Sequence, residues 1–124
     1  WVDLKDVPVY TLMSDVVYCC LQEDIVARYV VANKMFETFM AGKVMLATRG
    51  LGEMSETLEK TNTGYLIDEN TSDAIANALR DLQNPELLNQ YMQNSLSIRQ
   101  TYSWERGEAL LIGIYHQLLN SDSA

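Results

Sequence analysis

Long apolar runs, a cysteine framework and basic clusters are all missing from this sequence. No stretch approaches the roughly 18 consecutive apolar residues that a membrane-spanning helix requires. No leader pattern of charged, apolar and small residues opens the chain. Cysteine occurs only as the neighbours Cys19 and Cys20, which make neither a disulfide framework nor a CxxC site. On a strand they would point to opposite faces, and buried, reduced thiols are the expectation. The single histidine, His116, is expected at the surface. No Cys, His and Asp set has metal-ligand spacing, and no GxSxG elbow occurs, so metal and triad chemistry have no support. GxGxxG and P-loop patterns are absent as well. Bases are scarce: 9 Lys and Arg stand against 17 Asp and Glu, for a net charge of −8. This argues against nucleic acid or an anionic membrane as the main partner, since phosphate backbones are bound through clustered Lys and Arg.

The 124 residues suffice for one small domain, and 48% of them are hydrophobic, enough for a core. The few bases are unevenly placed. From Arg28 to Arg49 the chain holds Arg28, Lys34, Lys43 and Arg49, with Glu37 as the only acid. Such a window suits a small anion such as a nucleotide diphosphate; a solvated basic face is the plainer alternative.

The order of elements reads as follows. Val9 to Ser14 is a helical turn after Pro8. Asp15 opens a β-branched and apolar run, DVVYCCL, expected as a strand covered on both faces, as parallel strands are. QEDIVARYVVA is expected to be a loop with some helix. Asn33 to Ala41 is a helix, with Asn33 as N-cap and Gly42 as its stop. KVMLAT is a second buried strand, GLGEMSETLE a glycine-rich turn entering a helix, and TGYLID a third strand. Three helices follow. Thr71 or Ser72 caps the first, with Ile75, Ala78, Leu79 and Leu82 apolar. Asn84 and Pro85 start the second. Ser103 caps the last, which carries Trp104, Leu111, Ile114, Tyr115 and Leu118 on one face. The expected fold is α/β: about three parallel strands with flanking helices and a helical C-terminus, half of a doubly wound Rossmann-like domain. Three strands and an opening without Met suggest a piece, residues 1-124, of a longer protein.

Around Glu37 the spacing carries chemistry. At about 100° per residue, Met35, Phe36, Phe39 and Met40 share a core face, whereas Asn33, Glu37 and Ala41 share another. Met35, Met40, Met45 and Met54 are read as core filler. The helix follows one strand and precedes the next, so its N-terminus lies at the carboxyl edge of the sheet, where open α/β sheets bind ligands. Its free N–H groups favour phosphate there, and a carboxylate one turn in can accept two hydrogen bonds from a diol. Gly50 and Gly52 follow the second strand and allow a ligand close to the backbone. A solvated glutamate on an amphipathic helix is the competing reading.

NKMFETFMAGKVMLAT, GEMSETLEKTNTGYLID, DAIANALRDLQNPELLNQYMQNS and YSWERGEALLIGIYHQLL, in that order, resemble the C-terminal half of group 1 retaining glycosyltransferases of the GT-B architecture. The likeness covers roughly residues 7 to 119. It implies the nucleotide-sugar-binding part of a two-domain enzyme that moves a sugar from a UDP- or GDP-linked donor to a glycan or lipid acceptor, in surface polysaccharide synthesis, without a metal. The second glutamate of the family's carboxyl motif, which holds the ribose, falls on Glu37. Asn33 and Lys34 match a variant of that motif. The first glutamate falls on Tyr29, a departure. The phosphate-neutralising Arg and Lys of the family have no counterpart in this chain, and neither does its acceptor domain. The resemblance therefore implies nucleotide-sugar contacts from Glu37, Asn33, Lys34, Tyr29, Gly50 and Gly52, no catalytic acid or base in this segment, and an inactive fragment. Without its neighbours the chain is expected to expose apolar surface and form a homodimer. A cytoplasmic location is the expectation from the reduced thiols Cys19 and Cys20, with membrane association of the whole enzyme. The rivals are a non-enzymatic doubly wound interaction or regulatory module, and a nucleotide-sugar epimerase of the same architecture.

Overall fold

A computed structural model describes residues 1–21, 28–29, 31–50 and 52–121. Three parallel strands form one sheet: β1 (Val16–Cys19), β2 (Val44–Thr48) and β3 (Gly64–Ile67), in the spatial order β1-β2-β3. In register, Val16 lies opposite Val44, and Met45 opposite Gly64. The crossover helices are α2 (Asn33–Ala41) and α3 (Gly52–Thr61), preceded by α1 (Val7–Met13) and followed by α4 (Ser72–Asp81), α5 (Pro85–Ile98) and α6 (Trp104–Ser121). This is the α/β architecture expected from the sequence, and it is consistent with half of a Rossmann-like fold.

Strands that follow one another in both sequence and space force both right-handed crossovers onto one side of the sheet. Met35 and Phe39 of α2 and Met54 and Leu58 of α3 accordingly pack with Cys19, Met45 and Ala47. The opposite side holds Leu46 and Ile67 against Ala78 of α4. Adjacent Cys19 and Cys20 divide between these two sides, as strand alternation requires. Both are free thiols, the first buried and the second half-buried, and burial pushes both pKa values up. β2, central, is buried along its whole length.

Helix ends follow local chemistry. Gly42 closes α2 at φ 63°, the left-handed region open to glycine; Leu96 of α5 occupies the space a side chain would take. The Thr71 hydroxyl accepts from the Ala74 N–H, and the Asn84 side chain accepts from Glu86 and Leu87, with Pro85 in the first turn. Ser103 accepts from the Arg106 N–H at the start of α6.

Several expectations need correction. Helix α1 starts at Val7, with Pro8 in its first turn, where the missing N–H costs nothing. β1 is not covered on both faces: Tyr18 is 49% exposed, with its hydroxyl donating to Asn70. Met40 is 42% exposed at the edge of the α2 core face, and Leu79 is exposed as well, while Met35, Met45 and Met54 are buried. Of the segment read as loop with some helix, only Gln22 to Ala27 and Val30 lie outside the described residues; Arg28 and Tyr29 form a turn.

Tyr65 of β3 donates its hydroxyl to the Asp81 carboxylate. That bond, reinforced by burial and by the charge of Asp81, pushes the phenol up to about 12. A pKa raised on folding stabilises below the unfolded value of about 10 and loses that contribution as pH rises through the folded value. Stability should thus decline between about pH 10 and 12 in chemical denaturation, and Tyr65→Phe should flatten that decline.

Candidate functional site

Glu37 sits on the exposed side of α2, at the margin of a cleft of about 460 Å³. The cleft lies between α1, α2 and the start of α6. Pro8 and Leu12 form one wall, Phe36 and Met40 another, and Tyr102 and Trp104 close it. Tyr102 is fixed there by its ring contacts, 5.5 Å from Phe39 and 6.2 Å from Phe36 between centroids. Glu105 is the second carboxylate lining the cleft. Its pKa is lowered, first by a hydrogen bond from its own backbone N–H and then by the Ser103 hydroxyl. No Lys or Arg among the described residues lines this cleft. Its chemistry is therefore apolar walls plus hydrogen-bond acceptors, which suits hydroxyl groups and opposes phosphate.

The other candidate residues stand apart from that cleft. Asn33 is exposed, and it is the first helical residue rather than the N-cap. Ala32 holds the cap position, in extended conformation, and no side-chain cap bond is made. The amides at this helix start thus face no protein acceptor from a cap side chain. Lys34 is exposed and lies near enough to Cys19 to counter part of the rise in that thiol's pKa, which places it at the carboxyl end of β1. Tyr29 is 83% exposed in the turn with Arg28.

That turn runs directly against the glycine segment after β2. A Cβ at Gly52 would lie 2.3 Å from the Arg28 carbonyl oxygen, and Gly52 has φ +64°. Gly50, at φ +75°, has open space around its Cα, but its N–H donates to Ser55 Oγ at 2.9 Å and is already used. The carboxyl edge of the sheet is tied further by Thr48, whose hydroxyl donates to the Leu21 carbonyl at 3.0 Å, and by Asn70. The Asn70 amide donates to the Cys20 carbonyl while its oxygen accepts from Tyr18.

The basic window of the sequence does not form one patch. Lys34 stands at the start of α2, and Lys43 beyond its other end, at the foot of β2. Arg49 is committed to Glu59 and Asp68. The structure thus brings Tyr29, Asn33, Lys34, Gly50 and Gly52 to the carboxyl side of the sheet, and sets Glu37 one turn along α2 at the mouth of a separate cleft. Tyr102 and Glu105, which shape that cleft, carry no role in the sequence, and Trp104 is expected only on the apolar face of the last helix. The signal in the sequence is the Tyr-Ser-Trp-Glu run, Tyr102 to Glu105, at the start of the last helix.

No protein-family model matches the chain, and no curated protein matches it. Among the described residues, no three His, Cys, Asp or Glu side chains converge as a metal-binding group, and no helix is long and apolar enough to cross a membrane.

Proposed function

We propose that this chain is the nucleotide-sugar-binding segment of a retaining glycosyltransferase, a cytoplasmic enzyme of surface polysaccharide synthesis whose acceptor domain is a separate part of the protein. The observation that carries the reading is the position of Glu37. Its carboxylate is exposed at the mouth of a cleft free of cations, one turn from a helix N-terminus with no side-chain cap. A diol can bridge to the carboxylate while a diphosphate meets the amides of α2 and Lys34. Glu37 would hold the donor in place rather than react. Stabilisation of the departing diphosphate would come from helix amides and from bases supplied by the rest of the enzyme.

The test is calorimetric titration of the chain, and of the full-length protein, with UDP, GDP and ADP. One nucleotide should bind, and Glu37→Ala should weaken it about tenfold or more, the worth of a charge-assisted hydrogen-bond pair. Unchanged affinity in the variant would remove Glu37 from the site. A full-length protein inactive with every nucleotide sugar would defeat the transferase reading. Release of a free isomerised sugar nucleotide would replace it with an epimerase.

A second reading, a non-enzymatic α/β interaction module, is favoured by the commitment of Arg49 to Glu59 and Asp68, which removes one base from any anion site.

A further inference from the structure

Three kinds of contact follow one another along α2. Its start offers amides with no side-chain cap, together with Lys34. Glu37 comes one turn later, and the cleft opens beside Phe36, Met40 and Ala41, toward the far end of the helix. The helix has 9 residues and is about 13 Å long. A nucleoside diphosphate has its parts in a matching order, diphosphate, ribose and base, over a comparable length. With the diphosphate at the amides and the ribose at Glu37, the base falls into the cleft.

The walls of the cleft suit a flat ring, and its volume of about 460 Å³ is that of a small-molecule site. Trp104 lines it and is 78% exposed, and among the described residues its ring meets no other aromatic. Every base has a face that stacks on such a ring, so selection has to come from the edge of the base. There the cleft offers acceptors and few donors. The Thr11 hydroxyl already donates to the Val7 carbonyl at 3.0 Å. The Ser103 hydroxyl is bonded to Glu105 and accepts from the Arg106 N–H. No Lys or Arg among the described residues lines the cleft. Glu105 forms no ion pair there either. A carboxylate has about four acceptor positions. The Glu105 N–H and the Ser103 hydroxyl engage two of them, which leaves the carboxylate able to accept from a ligand.

We infer that the cleft selects guanine, with Glu105 accepting from N1–H and the 2-amino group of the base while Trp104 stacks on its face. The inference rests on the nucleotide-binding reading proposed above and names the base. Guanine sets two donors side by side on its pairing edge, in position for one carboxylate. Uracil flanks its single N–H with two carbonyl oxygens. Adenine and cytosine each place a ring-nitrogen lone pair beside the amino group. Those lone pairs would face the negative charge of Glu105.

The experiment is calorimetric titration of the full-length protein, which supplies the bases this chain lacks, with GDP, UDP, ADP and inosine diphosphate. GDP should bind about tenfold tighter or more than UDP or ADP. Inosine diphosphate lacks the 2-amino group and should bind about tenfold more weakly than GDP. Glu105→Gln should lower GDP affinity about tenfold, close the gap between GDP and inosine diphosphate, and leave UDP unchanged. Trp104→Ala should weaken every nucleotide about tenfold, since stacking does not discriminate. Circular dichroism should show both variants folded. A GDP affinity no higher than that for UDP or ADP overturns the inference. So does a Glu105→Gln variant that loses GDP and inosine diphosphate equally, the mark of a merely structural residue. UDP bound tightest, and weakened by Glu37→Ala, would remove guanine and leave the transferase reading standing. Binding of no nucleotide at all would remove both.

Discussion

Phe39→Ala should cost the chain about 3–5 kcal/mol, a large share of the roughly 5–15 kcal/mol that a small domain holds. Phe39 is fully buried on the inward face of α2, among Met35, Met45, Met54 and Leu58, and its ring meets Tyr102 at 5.5 Å. The residue joins three parts of the molecule: the first crossover helix, the sheet, and the turn between α5 and α6. Truncation leaves a void bounded by a strand that cannot move, because β2 is paired on both sides, so the cavity will not collapse well. Urea denaturation should show a markedly lower midpoint at an unchanged slope. Phe39→Leu should recover much of the loss. Tyr102 should also loosen, and the cleft beside Glu37 would lose its floor before the sheet unfolds.

Gly52→Ala should have the second-largest effect, and it should strike stability and ligand binding together. At φ +64° an added Cβ brings left-handed strain of about 1–2 kcal/mol. It would also collide with the Arg28 carbonyl oxygen, and backbone cannot swing aside as a side-chain tip can; overpacking of this kind adds about 1–3 kcal/mol. The relief available is displacement of the Arg28–Tyr29 turn from the carboxyl edge of the sheet. On the proposed function, nucleotide affinity should therefore fall in Gly52→Ala although Gly52 itself offers no side chain. Gly50→Ala is the matched comparison, since it carries similar strain but meets nothing within 4 Å. Its thermal midpoint should drop less, and the difference between the two variants measures the collision alone.

What could be read from the sequence was what depends on neighbours along the chain. Gly42 ends α2, Thr71, Asn84 and Ser103 begin their helices, and Val44 to Thr48 is buried throughout, because capping and short apolar runs are local matters. What escaped depends on which element arrives from elsewhere. Alternation in DVVYCCL places Tyr18 and Cys19 on opposite faces, but it cannot say that Tyr18 is left half exposed. The basic window counted Arg49 as available; Glu59 and Asp68, which engage it, are 10 and 19 residues away. Likewise, spacing located Glu37 on the outer side of α2, while the aromatic walls of its cleft come from Tyr102 and Trp104, far along the chain. The apolar positions of α6 were visible in its sequence, yet that Trp104, Leu111, Ile114, Tyr115 and Leu118 stay more than half exposed depends on which elements reach the helix.

The sheet order β1-β2-β3 gives each strand a partner that is its nearest neighbour in the chain. Each strand–helix–strand unit can close as soon as its own residues have left the ribosome, without waiting for distant sequence, and such local closure is the fast route to a native topology. Helix α6, which follows these units in the sequence, is not needed for any of these closures. The exposed apolar residues of α6 would thus emerge only after the sheet is already secure.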